Sequence, residues 1–228
     1  MKYTLLTITL FLFLVFSLKA QVYKSPIAAK QSHADLEITQ IERTTENTII
    51  NLKVTNKRDA GGWFCASKSI VIKNSEGNEQ YDLIKSENIP TCPEKFEFSY
   101  VGQTLEFTLY FPAIPGNLQF IDLIENCSDA CFYFNRIILN NEHNEKIKTF
   151  EQAFELYQNN QYIEAIPFFE SVVSTTTGID SQIYGLSYYY LIKANQTLKQ
   201  NNKAEYWIEE LKKTDVSDKQ TILKELGI

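Results

Sequence analysis

The sequence predicts an all-β domain followed by an all-α domain, an antiparallel β-sandwich and then a set of helical hairpins. Three observations predict it. From Asp35 to Asn140 the apolar residues alternate with period two between close-spaced turns. Beyond Lys146 they recur at i, i+3, i+4 and i+7, and the polar run from Asn141 to Lys146 separates the two regimes. The 228 residues then divide into an export signal at 1–20, a linker at 21–33, the sandwich at 34–140, a linker at 141–147 and the helical domain at 148–228.

The first segment reads as an address. Lys2 precedes an apolar run from Leu5 to Phe16, and Ser17, Leu18, Lys19 and Ala20 close it. A basic start, a short apolar core and a small residue at the exit describe a secretory signal, with cleavage expected after Ala20. Taking its two lysines and no acids from a net charge of -6 leaves -8. The product is expected to be exported, periplasmic or extracellular, with no stable membrane span after cleavage. An acidic chain of this kind is no unaided ligand for nucleic acid. With 44% hydrophobic and 13% aromatic residues it is not a disordered tail either.

Within the sandwich, Ile38 and Ile41 mark a first strand and Arg43 to Asn47 a polar turn. In the next strand Ile50, Leu52 and Val54 share one face. Ser69 to Ile72 pairs across the turn Asn74–Asn78 with Gln80 to Lys85 as a hairpin. Pro90 and Pro93 break the run, Phe96, Phe98 and Tyr100 alternate, and a turn at Val101–Thr104 leads into Leu105 to Phe111. Leu118 to Ile124 and Phe132 to Leu139 complete about eight short strands, an immunoglobulin-like count with close turns.

Export makes the four cysteines candidates for disulfides, of which three pairings exist. Cys127 and Cys131 share one loop, which leaves Cys65 for Cys92, two residues that flank the expected hairpin. Their spacing is not that of a redox dithiol, and His33 and His143, expected at the surface, do not stand at zinc-ligand spacing. No metal or cofactor is expected.

In the helical half, Thr149 with Gln152 has the form of a capping box. Phe150, Ala153, Phe154 and Tyr157 line one helix face, and Tyr162, Ala165, Ile166 and Phe169 line a second. Tyr184, Tyr188, Leu191 and Leu198 give a third helix and Ala204, Trp207, Ile208 and Leu211 a fourth. Ser217 with Gln220 opens a short fifth that ends at Gly227. Helices this short, joined by tight turns, pack as antiparallel hairpins.

The stretch from Ala153 to Phe169 resembles a tetratricopeptide repeat. Its matching positions are Ala153 on the first helix, Tyr162 before the turn's exit, Ala165 opposite Ala153, and Phe169 on the second helix. The resemblance covers residues 148–213, and the last helix fits a polar-faced cap. The second pair departs from the pattern: Ile192 stands where a small residue is expected, and Ala165 to Ala204 is 39 residues. The sandwich half is similar to accessory sandwich modules of exported bacterial proteins, on Trp63–Cys65, Tyr81–Ile84, Phe107–Pro112 and Ile121–Glu125. That likeness carries no functional residues.

No residue stands out as catalytic. No Gly-x-Ser-x-Gly turn and no glycine-rich phosphate loop occur. Asp122 and Glu125 fall on opposite faces of a strand and read as a solvated strand end. The rings of Trp63 and Phe64, Tyr110 and Phe111, and Phe132 to Phe134 are expected partly in the core and partly where the helical half docks. The resulting expectation is a non-catalytic protein that binds a protein or peptide partner in a helical groove. The residues expected to face that partner are Tyr157, Tyr188, Tyr189, Asn195 and Trp207. The alternative is a glycan-binding sandwich using Trp63, Phe64 and Tyr110.

Overall fold

The computed structural model describes residues 20–127 and 130–228. Apart from Ala20, the segment read as an export signal lies outside the described residues. Among the described residues no helix is long and apolar enough to cross a membrane.

The N-terminal part is β-rich. One sheet runs in the order β1 (Gln21–Lys24), β3 (Leu36–Arg43), β4 (Asn47–Thr55), β10 (Thr104–Pro112), β8 (Lys85–Glu87). A second runs β2 (Ala28–Gln31), β12 (Tyr133–Ile138), β11 (Phe120–Glu125), β6 (Ile70–Asn74), β7 (Gln80–Asp82). A two-stranded ribbon joins β5 (Trp63–Phe64) to β9 (Phe96–Glu97). Every pairing between these strands is antiparallel.

Period-two alternation becomes burial directly. In β4, Thr48, Ile50, Leu52 and Val54 point inward, and in β10 Leu105, Phe107, Leu109 and Phe111 do. The register sets Leu52 opposite Phe107 and Ile50 opposite Leu109. Ile72, Leu123 and Phe134 of the second sheet join the same apolar cluster. Each such side chain stabilises the fold by about 1.5–3 kcal/mol relative to exposure.

The segment 21–33, expected as a linker, instead carries β1 and β2. The chain passes from one sheet to the other at Ser25–Pro26, where Ser25 takes a left-handed φ of 43°. At the far edge Leu83 and Ile84 make the same crossing: the Leu83 amide donates to Ile70 and that of Ile84 to Tyr110. Strands of three or four residues are too short to show a period, which is why the first of these crossings is silent in the sequence.

The second expected linker, 141–147, is the first two turns of α1 (Asn141–Gln158). Its cap is Asn140, whose side chain accepts from the His143 amide at 2.9 Å. The capping box at Thr149 does not start a helix: that hydroxyl donates back to the Glu145 carbonyl. The run looked like a solvated linker because it is polar, yet His143, Asn144 and Lys146 are buried. Each has a partner. Asn144 accepts from the Ile27 amide and donates to the Ile138 carbonyl, Lys146 Nζ donates to the carbonyls of Ser171 and Val172, and His143 Nδ1 meets Thr177 Oγ1.

Four more helices follow, α2 (Tyr162–Val173), α3 (Gln182–Thr197), α4 (Asn201–Lys213) and α5 (Lys219–Glu225). Consecutive helices from α1 to α4 pack together, and α3 also touches α1 and α5. Ala153, Ala165, Phe169 and Leu191 are fully buried at the α1–α2–α3 contact. Pro167 lies in the second turn of α2, further in than a helix start. The expected box at Ser217 is absent: α5 begins after Asp218, whose side chain makes no capping bond, and the Ser217 hydroxyl donates to Asp180.

The helical half sits against one end of the second sheet, where β11 begins and β12 ends. Ile147 and Ile179 pack on Phe120 and Ile138, and the Asn141 side chain bonds Lys24 and Val22 of β1. The rings expected at this docking surface are elsewhere: Phe111, Phe132 and Phe134 are buried in the sheets' own cluster, with Phe64 packed against it.

Candidate functional site

Two places gather chemistry. The first is the face that α1 and α3 share. Phe150, Phe154 and Tyr157 recur along α1, so their rings form a column, and Tyr190 of α3 meets it. Tyr190 lies 4.8 Å from Tyr157, 5.1 Å from Phe154 and 5.2 Å from Tyr189, centroid to centroid. Tyr162 closes edge-on against Tyr157 at 5.1 Å. All of these rings are half-buried, so the column keeps an open side. The Tyr162 hydroxyl donates to Asn160. Burial, and then neighbouring tyrosines, push the phenols of Tyr157 and Tyr190 up from their ordinary value, so both stay neutral.

The five residues expected to face a partner therefore separate. Tyr157 and Tyr189 belong to this column. Asn195 is fully buried, its amide donating to the Leu191 carbonyl, and Tyr188 is buried beneath Trp207 in a different cluster. Trp207 is half-buried between Tyr188 and Tyr206. Tyr190 and Phe154 were missed because each helix-face pattern marks a core stripe, while a partly open ring at its margin has the same spacing.

The second place is a cavity of about 470 Å³ at one end of the sheets, under the β5–β9 ribbon. Trp63, Phe64 and Phe98 line it, with Cys65, Cys92, Cys127 and the polar residues Arg58, Lys95, Asp35, His33 and Glu125. The disulfides are Cys65–Cys92 and Cys127–Cys131, the expected pairing, and both border this cavity. They fit an oxidising compartment outside the cytoplasm.

Glu125 is not a solvated strand end. It is 6% exposed, and its two carboxylate oxygens accept from the amides of Ser67 at 2.7 Å and Phe132 at 3.2 Å. Burial pushes its carboxyl up; the two amide donors and His33 pull the other way. Asp122 takes the Ser75 hydroxyl and the Arg136 amide. His143 is likewise no surface residue: burial, then Lys146, lowers its ring from the ordinary value.

The residues of the glycan alternative part company here. Trp63 and Phe64 line the cavity, but Phe64 is packed on Phe107 and Phe132. Tyr110 lies on the outer face of β10, its hydroxyl donating to Glu87 and Lys85 standing 4.3 Å from the ring. No group of three or more metal-ligating side chains occurs among the described residues. Comparison with known protein families finds no matching family model, and comparison with curated proteins finds no match.

Proposed function

We propose that this is an exported, non-catalytic interaction protein of the periplasm or cell exterior. In this reading an immunoglobulin-like sandwich carries a tetratricopeptide-repeat-like pair of hairpins, and the α1–α3 face receives an extended partner segment. The fully buried Ala153 and Ala165, set where two helices must approach closely, support the repeat reading. The two sheets' shared apolar cluster supports the sandwich.

One observation carries the binding reading: the half-open column of Phe154, Tyr157 and Tyr190, flanked by Tyr162 and Tyr189. Rings of this kind supply large contact area at small entropic cost. The occupant is a basic segment with apolar or aromatic anchors. Residues 141–178 carry six glutamates against two lysines, and one of those lysines, Lys146, is buried. Complementary charge would steer a cationic segment to this hairpin.

A display library of random peptides panned on the full chain tests this. Enriched sequences should be rich in Lys or Arg with aromatic or aliphatic anchors. Binding should weaken about tenfold or more in Tyr190→Ala, the loss expected of a central aromatic anchor. Enrichment of acidic peptides, no enrichment, or binding indifferent to Tyr190→Ala and Tyr157→Ala would each overturn the reading.

A further inference from the structure

We propose that the cavity under the β5–β9 ribbon is a binding site for a carboxylate-bearing sugar, a hexuronate unit of an acidic glycan. This site is separate from the α1–α3 face and does not rest on it. The argument starts from the three arginines of the chain. Arg43 is buried and donates to Gln21 and to the carbonyls of Pro115, Gly116 and Leu118. Arg136 pairs with Glu76 at 3.1 Å and covers Phe120. Both are committed to the fold. Arg58 is the third. Its backbone is fixed by Asn56, whose side chain bonds both its amide and its carbonyl. Its side chain is exposed, its guanidinium has no hydrogen bond or ion pair among the described residues, and Arg58 is one of the residues that line the cavity.

A second cation stands with it. Lys95 Nζ lies 3.8 Å from the centre of the Trp63 ring and pairs with no carboxylate among the described residues. Both cations are solvent-exposed and the carboxyl residues Asp35 and Glu125 line the same cavity, so the case for an anionic ligand rests on Arg58, which holds no carboxylate of its own. A guanidinium fork matches a carboxylate in two parallel hydrogen bonds.

The remaining lining chooses the body of that anion. Trp63 and Phe98 offer apolar faces for a ring. The Asp35 carboxylate has no side-chain hydrogen bond among the described residues, His33 bonds Ser32 through Nδ1 and acts electrostatically on Glu125, and Asp35 and His33 both line the cavity. An aromatic acid would leave these polar groups unmatched, at a desolvation cost. A sugar's hydroxyls donate to Asp35 and bond His33 while its C–H face lies on the rings. The volume, about 470 Å³, falls in the range of small-molecule sites, and the two disulfides hold the walls without ligand. Lys95 shifts from Trp63 toward the bound carboxylate, which makes the indole a reporter.

The chain has two tryptophans, so Trp207→Phe leaves Trp63 alone to report. Trigalacturonate titrated into that variant should give a saturable change in tryptophan emission, and calorimetry on the unaltered chain should give the same affinity. Galactotriose, the neutral counterpart, and phenylacetate, a ring acid without hydroxyls, should bind at least tenfold more weakly. Arg58→Gln should cost tenfold or more with an unchanged melting temperature, and Lys95→Gln a smaller factor. Tyr190→Ala should leave uronate binding intact, so failure here and failure at the helical face are distinguishable. Equal affinity for galactotriose, tighter binding of phenylacetate, insensitivity to Arg58→Gln, or no heat and no emission change would each overturn the proposal.

Discussion

The two halves of this chain spend their side chains differently. In the sheets the large side chains that line the core are closed off almost completely, and the buried polar groups answer to the backbone. Arg43 saturates the 115–118 loop and Glu125 joins the Ser67 and Phe132 amides. In the helices Phe169, Tyr184 and Tyr188 are buried but the rings along the α1–α3 face stay half open, and the buried atoms Asn195 Oδ1, Gln200 Oε1 and Asp218 Oδ1 have no partner within the chain among the described residues. The sheets' pairings also join residues far apart in sequence, such as Gln21 with Arg43 and Phe134 with Gln31, and a disulfide spans 27 residues there. The helical contacts run mostly between neighbours in the chain. A half built this way opens at lower free energy, and segments that meet partners come from that end of the scale.

The largest test of the comparison removes the covalent advantage. Cys65→Ala with Cys92→Ala should cost the sheets about 2–5 kcal/mol. Hydrogen exchange locates that cost: amides of β4 and β10 should lose protection while those of α1 and α3 keep theirs. Equal loss in both halves would show one cooperative unit and dissolve the contrast. A smaller test works from the other side. Ala165→Leu drives a larger side chain into the α1–α2 contact, where no exposed surface remains, and should cost about 1–3 kcal/mol. Faster exchange confined to α1, α2 and α3 is the expected result.

The same contrast decides what the sequence disclosed. Alternation along Thr48–Val54 and Leu105–Phe111 was legible because a strand with one buried face must repeat every second residue. Ala153 and Ala165 were legible because helices approach closely only over small side chains. Polar residues defeated the reading. His143, Asn144 and Lys146 have the composition of a linker, yet they hold the junction through bonds to Ile27, Ile138, Ser171, Val172 and Thr177. A one-dimensional pattern records a side chain's polarity and not whether a distant backbone group will meet it. Glu125 hid for the same reason, and the cavity beside it is assembled from the β2–β3 turn, β4, the β5–β9 ribbon and the end of β11. The half-open tyrosine column was partly legible. Tyr157 and Tyr189 could be named, while Tyr188 and Tyr190, two residues apart on one helix, exchange the roles of core and margin through a rotation that spacing leaves undetermined.

The smallest effect is also the one that separates the halves by sign. Glu125 belongs to the sheets and burial raises its carboxyl. A raised folded pKa means the folded state holds the proton longer than the unfolded one. Its contribution is therefore fully present below the unfolded value and is lost as pH rises through the folded one. His143 belongs to the helical half, and burial lowers its ring, with Lys146 adding to the effect and Tyr184 and Thr177 packed beside it. Its contribution is present above the unfolded value, about 6.5, and is lost as pH falls through the folded one. Acidifying from pH 7 toward 5 should thus slow exchange, corrected for the intrinsic rate, in β11 and β12 and quicken it in α1 and the α2–α3 loop. Glu125→Gln should flatten the first response and His143→Asn the second, each leaving the other in place. Responses of one sign in both halves would mean that a charge other than these two governs the junction, and that the halves titrate as a single body.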